Sequence, residues 1–182
     1  MKTIKVQIKT VKNLTKSDMA LMNRWRVNEF GSENLKNFKK DYLPNPRFFF
    51  VKDDGKIVAF GILGPIVTIN YLGKTYKILG IGSIISIVKG KGYGKILIQS
   101  MIKTLKKEGK TGLGFTTETE FFKKAGLGTK KDFIKRFVYK NPKTGKEIID
   151  NLGDGIYYEG KDKFISKVLS TKNIVYISIP HF

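Results

Sequence analysis

The sequence is 182 residues long, has no cysteine and has one histidine, His181. That composition removes disulfides, thiolate metal sites, cysteine nucleophiles and histidine-rich metal centres, and it argues against an internal Ser-His-Asp triad. The formal charge of +20 is carried almost wholly by lysines spread along the chain, with arginine only at positions 24, 26, 47 and 136; specific nucleic-acid recognition favours clustered arginine, so a nucleic-acid partner is not expected.

Hydrophobic residues at 41% and charged ones at 27% suit a folded, water-soluble chain. No apolar run reaches the roughly 18 residues of a membrane span, and Met1 to Val6 lacks the apolar core of a signal peptide. A single domain over residues 1–182, in the cytoplasm and away from membranes, is the expectation.

Ile4 to Thr10 alternates apolar and polar residues, as a half-buried strand does. Thr15-Lys16-Ser17-Asp18 supplies caps for a helix that carries Met19, Leu21, Met22, Trp25 and Val27 and ends near Phe30-Gly31. Ser32 to Lys40 reads as a second short helix, stopped by Leu43-Pro44-Asn45-Pro46. Two hairpins follow, one turning at Asp53-Asp54-Gly55 and one at Leu72-Gly73-Lys74, with Gly61, Gly64 and Pro65 marking a bulge in the first long strand.

The run Ile84 to Lys107 is strand, glycine-rich turn, helix: β-branched residues lead into Lys89-Gly90-Lys91-Gly92-Tyr93-Gly94, and Leu97, Met101 and Leu105 then recur every fourth position. Glycines at a helix start let unpartnered backbone N–H groups approach one phosphate. The spacing is neither that of a P-loop nor that of a dinucleotide fingerprint. Gly112 to Thr116 returns as a strand parallel to Ile81–Val88, followed by Phe121-Phe122-Lys123-Lys124-Ala125-Gly126-Leu127. Phe133 to Tyr139 and Glu147 to Ile149 read as a hairpin, Lys163 to Leu169 as a short helix and Ile174 to Ile179 as a last strand.

Lys89 to Gly94 resembles the Arg/Gln-x-x-Gly-x-Gly/Ala signature of the GNAT superfamily of N-acetyltransferases, and Phe121 to Leu127 resembles its second signature, Leu-Tyr-x-x-x-Gly-Phe. The likeness covers Ile4 to Leu127, with residues 129–182 less typical. It implies a mixed α/β fold whose central, mostly antiparallel sheet has one splayed parallel pair and is flanked by helices. It also implies acetyl-coenzyme A as co-substrate, with no metal, and direct transfer to a primary amine of a small molecule or peptide in a ternary complex, by a monomer or homodimer. The cofactor would meet Ile87, Val88, Lys89, Gly90, Lys91, Gly92, Tyr93, Gly94, Lys95 and Phe122.

Two departures stand out against that resemblance. The family's usual tyrosine acid falls on Phe122, and Ile81 to Val88 offers Ser83 and Ser86 where a glutamate is frequent. Glu29, Glu33 and Tyr158 are therefore the candidate acid/base residues, with Tyr157, Tyr158 and His181 in a C-terminal segment able to close over the acceptor, while Glu118 and Glu120 open a helix, where the dipole favours acidic residues without a catalytic role. The rival readings are a non-catalytic coenzyme A sensor and a polyanion-binding module on the same fold.

Overall fold

A computed structural model describes residues 3–42, 44–150 and 153–179. The chain opens with β1 (Ile4–Thr10) and α1 (Lys16–Phe30), then β2 (Arg47–Asp53), β3 (Lys56–Tyr71) and β4 (Lys74–Ser86). After these come α2 (Tyr93–Glu108), β5 (Gly112–Thr116), α3 (Thr119–Ala125) and β6 (Gly128–Lys130). The last part holds β7 (Phe137–Lys140), β8 (Glu147–Ile149), β9 (Asp154–Tyr158), α4 (Phe164–Leu169) and β10 (Val175–Ile177). A seven-stranded sheet runs β1-β2-β3-β4-β5-β9-β6, and a three-stranded one runs β10-β7-β8. In the large sheet β4 and β5 are parallel and every other pair is antiparallel. Among the described residues no helix is long and apolar enough to cross a membrane.

Strand β2 explains why the large sheet needs cover on both faces. Phe48, Phe49, Phe50 and Val51 are all 0% exposed, and side chains alternate across a strand. Phe49 and Val51 meet Leu97, Met101 and Leu105 of α2, while Phe48 and Phe50 join Met22 and Trp25 of α1. Each such side chain contributes roughly 1.5–3 kcal/mol on burial. A third cluster gathers Tyr71, Tyr76, Phe137 and Phe164 beneath the small sheet.

The start of α1 is fixed by a reciprocal capping box. The Asp18 N–H donates to Thr15 Oγ1 at 3.1 Å, and the Thr15 N–H donates to an Asp18 carboxylate oxygen at 2.9 Å. Lys9 Nζ, on β1, donates to the same carboxylate at 2.7 Å and so ties the edge strand to the helix. Burial pushes Asp18 up, but the Lys9 and Thr15 hydrogen bonds and the lysine charge outweigh it and hold the carboxyl below its ordinary range.

Two one-residue irregularities shape the middle of the sheet. The β3–β4 register passes from Leu63↔Ile81 to Ile66↔Leu79, which leaves an extra residue in β3 at the cis Gly64-Pro65 bond; it passes from Phe60↔Ile85 to Ile62↔Gly82, which leaves an extra residue in β4 beside Ser83. Ser83 accordingly sits at φ +52°. The β4–β5 pairing covers only Leu79↔Gly112 and Gly80↔Leu113, after which the strands part.

Four expectations are corrected. Ser32 to Lys40 is not a helix: a 3-10 turn spans Ser32–Asn34, and Asn23 then exchanges two hydrogen bonds with the Lys36 backbone, each 3.0 Å, that hold the chain away from helical pairing. Leu35 is left 59% exposed while Phe38 packs between Tyr42 and Phe48. Phe133–Arg136 is a 3-10 turn, so the strand starts at Phe137. The last strand is confined to Val175–Ile177 and pairs in parallel with β7. Finally, Tyr157 and Tyr158 are not in a closing flap, because β9 lies inside the large sheet between β5 and β6.

Candidate active site

Where β4 and β5 part, a cleft of about 640 Å³ opens. One wall is β4 from Ile81 to Ser86 and the opposite wall is Phe115 to Glu118. The floor at one end is the loop before α2, contributing Val88, Lys89, Gly90, Gly92, Tyr93 and Gly94; Phe121 and Phe122 of α3 and Glu29 and Phe30 of α1 complete the rim.

The loop is built to bring backbone close to a ligand. Gly90 and Gly92 have φ of +75° and +77°, and a Cβ on either would have nothing within 4 Å. Gly92 is the N-cap of α2 without a side-chain cap bond, so first-turn N–H groups face that space unpartnered by side chains. Gly94 serves a different purpose: a Cβ there would lie 2.7 Å from Phe121 Cζ, so the glycine lets this aromatic ring lie against the helix start. Tyr93 anchors the loop from below, its hydroxyl donating to Asp53 at the end of β2; that hydrogen bond, with burial and the nearby carboxylate charges, pushes the phenol up.

From Gly82 to Ser86, β4 has no strand partner among the described residues on the side that faces β5. An extended, amide-bearing chain is the natural partner for such an edge. A Cβ on Gly114 would come within 2.3 Å of the Ile81 carbonyl oxygen, so the point of separation depends on a residue without a side chain. These features fit the coenzyme A thioester implied by the resemblance: a phosphate cradle at a helix start, an unpaired strand edge leading from it, and an aromatic rim.

The candidate residues from sequence divide clearly. Val88, Lys89, Gly90, Gly92, Tyr93, Gly94 and Phe122 line the cleft, with Phe122 only 8% exposed. Ile87, Lys91 and Lys95 are not among its lining residues, and the Ile87 N–H already donates to the Val58 carbonyl at 3.1 Å. Among the candidate acid/base groups, Glu29 reaches the cleft, with Lys89 Nζ 3.8 Å away. Glu33 sits on the exposed turn after α1, accepting a hydrogen bond from Asn34. Tyr158 pairs with Gly112, at the end of β5 where the strands are still joined, away from the opening. His181 lies outside the described residues.

Sequence reasoning missed two features of this site. Glu118, assigned there only a role at a helix start, also lines the cleft. Arg26 is 6% exposed, with Nη1 donating to Ser83 Oγ and Nε to the Asn34 carbonyl. A signal existed, since Arg26 follows the buried Met22 by four positions and so lies on the inward face of α1.

The sequence model of the acetyltransferase (GNAT) family matches residues 19–126. No curated protein matches by sequence. Among solved structures, Escherichia coli ElaA is similar with a TM-score of 0.57 at 15% identity, covering 86% of this chain and 100% of that one. An acyl-CoA N-acyltransferase from Pseudomonas aeruginosa has a TM-score of 0.57 at 13% identity, covering 85% and 99%. A protein from Enterococcus faecalis V583 has a TM-score of 0.56 at 17% identity over 70% of this chain, which spans 33% of that longer one. At such identities these likenesses speak for the fold. The matched segment runs from α1 through the cleft loop to the end of α3, and with that match the chain belongs to the acetyltransferase (GNAT) family.

Proposed function

We propose that this protein transfers an acetyl group from acetyl-coenzyme A directly to a primary amine of a small molecule or peptide, both bound at once. The observation that carries the reading is the Gly90–Gly94 loop at the start of α2, opening onto the cleft where β4 and β5 part. On this reading the first-turn N–H groups of α2 and the loop backbone hold the diphosphate, and the unpaired edge of β4 orients the pantetheine arm. The thioester supplies the activated acyl group. Backbone N–H groups beside the β4 bulge lie where negative charge develops on the acetyl oxygen.

Once the ammonium has given up one proton, the amine nitrogen forms its bond to the acetyl carbon and the carbon–sulfur bond breaks, a second proton leaving nitrogen and one reaching sulfur, so that one proton is released overall. Glu29 is the candidate group to hold the incoming ammonium and take its proton, because its side chain lines the cleft. Phe122 occupies the position of the family's tyrosine acid and has no proton to give, so solvent protonates the departing thiolate. The chain has no cysteine to carry an acyl-enzyme, which favours direct transfer. One domain in the cytoplasm carries the whole reaction.

The test is calorimetry with acetyl-coenzyme A, followed by coenzyme A release over a panel of amines. Binding with turnover of at least one amine supports the reading. Binding without turnover of any amine points to the sensor instead, and no binding rejects both.

A further inference from the structure

Packed against Phe30 and Ser83, two residues that line the cleft, is a cation that no carboxylate among the described residues neutralises. Arg26 is 6% exposed, yet no carboxylate lies within 4.0 Å of it among the described residues. Its partners are neutral: Nε donates to the Asn34 carbonyl at 3.1 Å, and Nη1 donates to Ser83 Oγ, which is also 3.3 Å from the Tyr42 hydroxyl. Among the described residues Nη2 has no hydrogen-bond partner, and it is not one of the unpaired side-chain atoms sealed from solvent. A buried charge without a counter-ion is costly. A guanidinium with free donors is the group that recognises carboxylate or phosphate in two-pronged fashion.

The position of Arg26 says where such an anion would come from. Its guanidinium lies over the ring of Phe30, with Cζ 5.5 Å from the centroid, and both Phe30 and Ser83 line the cleft. Ser83 is the bulged residue of β4 at the point where β4 leaves β5, next to the place where the acetyl group would lie. One turn along the same face of α1, Glu29 offers a carboxylate to the cleft. The lining therefore offers Glu29 as an acceptor for an ammonium, with the Arg26 guanidinium held directly against the lining residues Phe30 and Ser83.

We propose that Arg26 binds an oxyanion on the acceptor, so that the amine acetylated here carries its own carboxylate or phosphate group close to the nitrogen. This rests on the acetyl transfer proposed above and names its substrate class. A polycationic amine would meet Arg26 unfavourably, in keeping with the net charge of +20.

The test measures coenzyme A release from acetyl-coenzyme A with the twenty amino acids beside their carboxamides, and with glucosamine 6-phosphate beside glucosamine. The expected result is a kcat/KM at least about tenfold higher for an anionic acceptor than for its neutral twin. The pair that shows it tells carboxylate from phosphate. In Arg26→Gln the preference falls to within about threefold, through KM, with the affinity for acetyl-coenzyme A unchanged by calorimetry. Arg26→Lys keeps the charge without the fork and retains part of the preference, and it serves as the decisive variant where Arg26→Gln fails to fold. Equal use of charged and neutral twins, turnover of neutral amines alone, turnover of no anionic acceptor, or a preference that survives undiminished in folded Arg26→Gln or, where that fails to fold, in Arg26→Lys each overturns the proposal. Failure to bind acetyl-coenzyme A sinks the underlying transferase reading instead.

Discussion

Gly92→Asp separates what the α2 loop does for folding from what it does for a ligand. The position has φ +77° and open space around any added Cβ, so the only folding cost is a non-glycine residue in the left-handed region, about 1 kcal/mol. A carboxylate at the N-cap of α2 returns roughly 0.3–1 kcal/mol through the helix dipole. The melting temperature should therefore move by less than about 4 °C. The ligand meets a larger effect. At about 5 Å and an effective dielectric near 60, two unit charges repel by roughly 1 kcal/mol, so a diphosphate with two charges loses about 2 kcal/mol, or roughly thirtyfold in Kd. Gly92→Asn adds nearly the same volume without the charge and tolerates the same φ, so it should lose clearly less affinity. Calorimetry with acetyl-coenzyme A on both variants reads the difference; a Gly92→Asp protein that binds within twofold of wild type refutes the phosphate cradle.

Asp18→Asn should cost about 1–2 kcal/mol near neutral pH by weakening the cap of α1 and the tie from Lys9. Because the folded carboxyl is held below its ordinary value of 3.8, its contribution is present above that pH and lost as pH falls through the lowered folded value; the variant should lose part of the wild type's acid sensitivity below about pH 4. Urea midpoints from pH 2 to 7 check this, and parallel curves for the two proteins would contradict it. Gly114→Ala puts a Cβ 2.3 Å from the Ile81 carbonyl oxygen, a backbone atom that cannot rotate away. It should destabilise by about 1–3 kcal/mol, lowering the melting temperature by roughly 3–10 °C, and an unchanged melting curve would show that the strands part by another cause.

What the sequence made legible is local. The α2 segment declared itself because Leu97, Met101 and Leu105 keep a helical period and glycines precede them, and all three leucine and methionine side chains are at most 1% exposed. The hairpin at Asp54-Gly55 was equally plain, its turn residues having φ of +47° and +78°. Strand β9 was not legible: Asp154-Gly155-Ile156-Tyr157-Tyr158 is short, and its partners β5 and β6 lie far upstream. In sequence Gly155 looks like a breaker, yet a Cβ there would meet Phe133 at 2.5 Å, so close packing selects it. The site followed the same division. The glycine loop was visible from spacing, whereas the pairing of Arg26 with Ser83 joins residues 57 positions apart and follows from a bulge in β4 that no local pattern announces.

The place of β9 in the sheet also sets an order of events during synthesis. Strands β5 and β6 are made first, but neither pairs with the other; both bond to β9, which leaves the ribosome after them. Until it arrives, β5 has a bare edge on one side and only the short β4 contact on the other. A nascent chain paused between residues 130 and 154 would thus carry a complete α2 loop on an open, adhesive sheet edge, the state in which a chaperone would find most to hold.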